Sequence, residues 1–276
     1  MQEPFLKDAA FLRDVAKCND RYRLWWLGQS GFLIRWEGRH LLLDPYLSDS
    51  LTRKYAATDK PHVRVTGQVV RPEALDFIDI AVSTHNHTDH LDGETLQALM
   101  MANPDLTLII PEANRTFAAK RLGCDPGWPV GLNDGTSVAV EGISITGVPS
   151  AHETLSTDAK GQHHFLGYII RSEQWTVYHA GDTVLYEGLE DRLRQWQIDI
   201  ALLPINGRDP ARGVAGNLTG AEAACLAHDV DAEIVIPCHY DMFAFNTATP
   251  REFVREARLL GQRYHILRNG EGFTLA

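Results

Sequence analysis

Cysteine is scarce in this chain of 276 residues, and the four present, Cys18, Cys124, Cys225 and Cys238, form no CxxC pair. That excludes a disulfide framework and fits free thiols in a reducing cytoplasm. Cys238 adjoins a candidate metal ligand, but on a strand its side chain points the other way. No apolar run approaches the ~18 residues a membrane span requires. The start, Met1-Gln2-Glu3-Pro4, lacks a basic segment followed by an apolar one, so no signal peptide is expected. Excess positive charge is missing too: the net charge of -10 argues against generic binding to nucleic acid or anionic membrane. What remains, 44% apolar and 22% charged, is an ordinary globular composition, and the expectation is a cytoplasmic protein.

Strand patterns come in two clusters. After a helical stripe over residues 5–17, runs at 23–27, 32–36 and 40–44 read as a meander of hairpins, parted by Gly28-Gln29-Ser30-Gly31 and Glu37-Gly38. Residues 47–76, with Pro61, Gly67 and Pro72, show little periodicity; loops this long often overhang functional sites. A buried strand is expected over 77–83. Further strands are expected at 106–110, 137–140, 143–148, 165–170, 175–179, 198–203, 234–236, 265–267 and 273–275. Helices are expected at 93–100, 112–122, 185–196, 219–228 and 250–260, with Thr219 and Glu222 at capping-box spacing. Strand clusters with interspersed helices predict two packed sheets covered outside by helices, in one domain spanning 1–276.

The chemistry concentrates in Thr84-His85-Asn86-His87-Thr88-Asp89-His90-Leu91-Asp92, where the strand over 77–83 gives out. Side chains two apart on an extended backbone point the same way, so His85 and His87 can grip one cation. Once the chain turns, Asp89 and His90 can face a second. Imidazole and carboxylate suit zinc, or manganese as oxygen donors increase. A histidine-rich surface loop would have no reason to follow a buried strand at this spacing. Three other strand ends carry a candidate: His152 after Val148-Pro149, Asp182 at the Gly181 turn, and His239 after Ile236-Pro237. Position alone leaves each open between a ligand and an ordinary turn or core residue. His40, His62, His163, His164, His228 and His265 read as surface or satisfied core histidines.

His85-x-His87-x-Asp89-His90, His152, Gly181-Asp182 and His239 together resemble, in order, the ligand sequence of the metallo-β-lactamase superfamily, over nearly the whole chain. More narrowly, Trp25-Trp26-Leu27-Gly28-x-x-Gly31, Tyr178-His179-x-Gly181-Asp182, Ile198-Asp199-x-Ala201-Leu202, Arg212-Gly213 and Val235-Ile236-Pro237-x-His239-x-Asp241 are similar to the L-ascorbate-6-phosphate lactonase group. The resemblance implies an α+β fold, a four-layer αβ/βα sandwich of two mixed sheets flanked by helices, with the metals at one edge. It places His85, His87 and His152 on one divalent ion (Zn2+ or Mn2+), Asp89, His90 and His239 on a second, and Asp182 between them. Asp44 would orient a ligand imidazole through its outer N–H, the alternative being a strand-end turn cap.

Two such ions about 3.5–4 Å apart activate a water for hydrolysis, with Asp89 and Asp182 as the catalytic carboxylates. The expected enzyme is therefore a metal-dependent hydrolase opening a lactone of a small anionic sugar acid. Arg208 and Arg212, after a strand end, are candidates to fork onto a substrate anion, or else solvated surface arginines. Tyr46 and Tyr240 are candidates to line the mouth. The alternatives are a phosphodiesterase, since residues 84–92 also resemble the motif of phospholipase D-type members of the superfamily, and a metal-binding protein without catalysis. Assembly as a homo-oligomer is compatible with the sequence.

Overall fold

Near-continuous apolar runs along the strands let each sheet bury both faces. A computed structural model describes residues 1–19, 21–209 and 216–275. In chain order the elements are α1 (Asp8–Lys17), β1 (Tyr22–Gly28), β2 (Gly31–Trp36), β3 (Arg39–Leu43), α2 (Ser50–Tyr55) and β4 (Ile80–Val82). There follow α3 (Gly93–Ala102), β5 (Thr107–Pro111), α4 (Arg115–Leu122), β6 (Val130–Leu132), β7 (Ser137–Val140) and β8 (Ile143–Pro149). The chain continues through β9 (Leu166–Arg171), β10 (Thr176–His179), α5 (Leu189–Leu193), β11 (Ile200–Pro204) and α6 (Gly220–Asp229). It closes with β12 (Ile234–Cys238), α7 (Arg251–Leu260) and β13 (Gly272–Thr274).

One sheet has the order β13-β1-β2-β3-β4-β5-β6, the other β12-β11-β10-β9-β8-β7. Both are mixed: the first is antiparallel from β13 to β3 and parallel from β3 to β6. The second is parallel from β12 to β10 and antiparallel from β10 to β7. In β1, Leu24 and Trp26 face the other sheet's Tyr168, Ile170 and Val177, while Trp25 and Leu27 turn outward beneath Phe11 and Val15 of α1. The outer face of the second sheet is covered by α6 and α7 through Ala223, Ala227, Phe253 and Ala257. This is the expected arrangement of two mixed sheets between helices. Among the described residues no helix is long and apolar enough to cross a membrane.

Several elements differ from expectation. The strand over 77–83 shrinks to β4: Ile78 N donates to the Asn103 side chain instead of a neighbouring strand, and Asp79 makes the last backbone bonds to His40 and Thr107. The 185–196 helix shrinks to α5, which begins only after Gly188 takes a left-handed turn at φ 89°. Residues 265–267 form no strand; a single bridge ties Tyr264 to Val235. The short β6 had no sequence signal. The capping box of α6 forms, with Thr219 Oγ1 accepting from Glu222 N and Glu222 accepting from Thr219 N.

Candidate metal centre

Each candidate donor lies just past the C-terminal end of a strand, and the two sheets present those ends to one edge. β4 leads to His85, His87, Asp89 and His90, and β3 to Asp44. From the opposite sheet β8 leads to His152, β10 to Asp182 and β12 to His239. At two of these ends, and at the end of β1, the backbone enters left-handed conformation at a non-glycine residue: Asp44 (φ 40°), His239 (φ 62°) and Gln29 (φ 52°). Such residues cost about 1–3 kcal/mol each and cluster at functional sites. Here each kink turns a side chain away from the strand's alternation and into the cleft between sheets. Gly181 (φ 60°) serves closeness: a Cβ there would stand 2.7 Å from Thr84 Cβ, pushing the Asp182 turn off the histidine segment.

The structure brings all seven sequence-predicted donors together. Asp182 lies at their centre and divides them between its oxygens. Oδ1 is 3.4 Å from His90 Nε2 and 3.3 Å from His239 Nε2, and Oδ2 is 4.0 Å from both His85 Nε2 and His152 Nε2. Asp89 Oδ2 is 3.7 Å from His90 Nε2 and 3.6 Å from His239 Nε2. Donor atoms within 4.8 Å of one another form three overlapping sets: His85, His90 and Asp182; His87, His152 and Asp182; and Asp89, His90 and His239. His85 Nε2, His90 Nε2 and Asp182 Oδ1 are buried without a hydrogen bond. Buried polar atoms are normally satisfied, so convergent ring nitrogens and a carboxylate oxygen left in this way fit a divalent cation.

Supporting contacts fix the ring orientations. Asp44 Oδ2 accepts from His90 Nδ1 (2.7 Å), His179 Nε2 (2.9 Å) and Thr84 Oγ1 (2.8 Å), while Oδ1 accepts from Thr84 N (2.7 Å). That leaves His90 Nε2 free to hold a cation, the pattern in which an outer carboxylate sets the tautomer. His152 Nδ1 likewise donates to Gly216 O at 2.8 Å, which frees its Nε2. Gln29 Nε2 donates to Asp89 Oδ2 (2.9 Å) and lies 3.2 Å from His239 Nε2.

The electrostatics are those of a site that must hold positive charge. Burial, with the adjacent His90 and His87 imidazoles, pushes His85 well below the ordinary imidazole value. For His90 burial acts in the same sense but is outweighed by the Asp182, Asp44 and Asp89 carboxylates, which hold it well above. Burial likewise opposes protonation of His239, yet Asp182 and Asp89 raise it to about 9. Burial would raise Asp182, but the imidazoles of His239 and His90 keep it well below the usual carboxylate range. Without metal, protons on His90 and His239 thus compensate the carboxylates; a divalent cation would replace those protons.

Comparison with known proteins agrees with this geometry. Residues 23–239 match the family described as the beta-lactamase superfamily domain. A UPF0173 metal-dependent hydrolase of Methanopyrus kandleri is 30% identical, covering 91% of this chain and 99% of its own. The chain belongs to the metallo-β-lactamase superfamily, among the UPF0173 metal-dependent hydrolases. A second UPF0173 metal-dependent hydrolase, from Caldivirga maquilingensis, is 28% identical over 91% of this chain and 96% of its own. Among solved structures, Igni18, a metallo hydrolase from Ignicoccus hospitalis, superposes with a TM-score of 0.67 at 23% identity, covering 92% of this chain and 99% of that one. The two mixed sheets flanked by helices are therefore the metallo-β-lactamase fold, and the chain is a metal-dependent hydrolase.

The residues expected to contact substrate are placed differently. Tyr46 is buried, its hydroxyl accepting from Leu51 N, its ring beside Phe243 and beneath Arg64. Tyr240 is buried against Trp26 and donates to Leu267 O. Both support the site from within the fold instead of lining its mouth, because aromatic area at these strand ends packs before it meets solvent. Arg208 forks onto Glu222 (2.6 and 2.8 Å), the residue that caps α6, so its charge is committed there. Arg212 lies outside the described residues. The hydrolase's open face is instead a cleft of about 470 Å³, with His87, Asp89 and His152 on its floor and Lys54, Tyr55, Lys60 and His62 on one wall. Sequence reasoning missed Gln29, Thr84 and His179 as supports, and set His62 aside. The length and aperiodicity of residues 47–76 were the only signal for that wall.

Proposed function

We propose that this metal-dependent hydrolase opens a lactone of a small anionic sugar acid at a site holding two divalent metal ions, Zn2+ or Mn2+. His85, His87 and His152 would hold one, Asp89, His90 and His239 the other, with Asp182 shared. The observation that carries this reading is the division of Asp182, whose two oxygens face two different histidine pairs. When bound, such a pair lowers the pKa of water from ~15.7 towards ~7 and polarises the substrate's oxygen.

The chain's own groups supply the rest. Asp89 is the more open carboxylate, with 16% of its side chain exposed against 5% for Asp182, and it faces the cleft. It is therefore placed to accept the water's proton, and Gln29 Nε2 holds its Oδ2 in position. Asp182, buried and held as a carboxylate, contributes fixed negative charge and alignment. The lactonase assignment draws on sequence motifs that reach beyond the metal donors, notably Trp25-Trp26-Leu27-Gly28-x-x-Gly31 and Ile198-Asp199-x-Ala201-Leu202.

The test is a substrate screen of protein loaded with zinc or with manganese, comparing sugar lactones, their phosphates and bis(nitrophenyl) phosphate. Preferential turnover of an anionic lactone is expected. Turnover of the phosphodiester alone would replace the lactonase reading with the phosphodiesterase one.

A further inference from the structure

The wall of the cleft carries positive charge that no described carboxylate offsets, although Lys54 Nζ also lies over the Tyr55 ring at 5.0 Å. Other cationic side chains nearby are committed: Arg53 pairs with Glu94, Arg64 with Asp49, and Arg121 donates to the carbonyls of Asn86 and Leu91. Lys54 and Lys60 both border the cleft, and neither has a carboxylate partner among the described residues. Two unneutralised ammonium groups facing one cleft, in a chain of net charge -10, form a local exception.

On the same wall His62 is packed among aromatic rings. Its ring stacks on Tyr55 at 4.3 Å and 22°, and meets Phe245 (4.5 Å) and Phe243 (5.1 Å) edge-on. Its Nδ1 lies 3.1 Å from Lys60 O, which only a protonated Nδ1 can satisfy. In the neutral ring Nε2 is then an acceptor, and it has no partner among the described residues. Burial lowers His62 below the ordinary imidazole value, which favours that neutral form. Loop residues are rarely clamped by three aromatic rings unless their direction matters.

We propose that residues 54–62 form the substrate-recognition subsite of this hydrolase, Lys54 and Lys60 binding a phosphate or carboxylate and His62 Nε2 accepting from a neighbouring hydroxyl. The substrate class is an anionic hydroxy-acid lactone, its scissile bond over His87, Asp89 and His152 and its anion against the two lysines. The inference rests on the lactonase reading for the reaction but not for the binding. Charge-assisted contacts to two lysines give specificity for the anion, whereas the floor donors recognise only the reacting centre.

The experiment compares wild type with Lys54→Gln/Lys60→Gln, both metal-loaded and checked for equal metal content. Calorimetry measures binding of 6-phosphogluconate and of gluconate, product-like probes that differ only in the phosphate. Wild type is expected to favour the phosphorylated probe by roughly tenfold, and the double variant to lose that preference. Lys54→Arg/Lys60→Arg should restore most of it. A preference of equal size in wild type and the double glutamine variant, or none in wild type, overturns the subsite. In kinetics, the kcat/KM ratio for a phosphorylated over an unphosphorylated lactone should fall by the same factor. If neither lactone is turned over, the reaction assignment fails while the binding result still decides the subsite.

Discussion

The floor of the cleft and its wall are built by opposite means. The floor and the donors behind it hang on strand ends: behind His87, Asp89 and His152, the side chains of His85, His90, Asp182 and His239 are almost fully buried, and Asp44, Thr84 and Gln29 fix the arrangement. The wall comes from α2 and the loop after it, where Lys54 and Lys60 are exposed and only the Tyr55–His62 stack is firmly packed. Strand ends hold the chemistry, and an exposed surface connection faces whatever arrives. A family of hydrolases can thus keep one reaction centre and change its substrates by altering a loop.

The contrast can be broken most severely at the floor. Asp182→Ala removes the carboxylate shared by both histidine sets. It should leave less than one metal ion per chain by elemental analysis, with turnover falling by more than the ~10–100-fold typical of supporting residues. Wild-type metal content in that variant would remove Asp182 from the centre. One step outward, Asp44→Asn should weaken metal affinity by about 10–100-fold, read by titration of the stripped protein, because His90 loses the carboxylate that fixes its tautomer. The smallest effect belongs to the wall. Tyr55→Leu should change stability by only about 1 kcal/mol, the worth of one aromatic contact, and leave metal affinity where it was. A metal-binding defect in that variant would mean that wall and floor are not separable.

The same division governs what could be read from the sequence. The histidine segment was legible because its spacing is local: His85, His87, Asp89 and His90 follow one strand within six positions. His152, Asp182 and His239 carry little individual signal, and only their ordered resemblance to a family singled them out. Gln29 and His179 were invisible as supports, since their partners Asp89 and Asp44 are 60 and 135 residues away in the chain. Tyr46 and Tyr240 show the converse error, in which proximity in sequence to a strand end suggested exposure and the fold buried them. Strand patterns recovered both sheets apart from the three-residue β6, because β1 and β2 are nearly continuous apolar runs bounded by turns, whereas β6 is too short to show one.

One atom has a wider consequence. Asp44 Oδ2 sits at the end of β3 in one sheet and accepts from His179 at the end of β10 in the other, while also holding His90. The backbone bond from His239 N to Gln29 O ties the same two sheets a second time. Neither link can form in a half-folded chain, so ligand geometry is completed only when the sandwich shuts. Cation uptake should then act as a latch on the last step of folding: a chain with one sheet assembled would have half the donors, none of the cross-ties, and little hold on the ion.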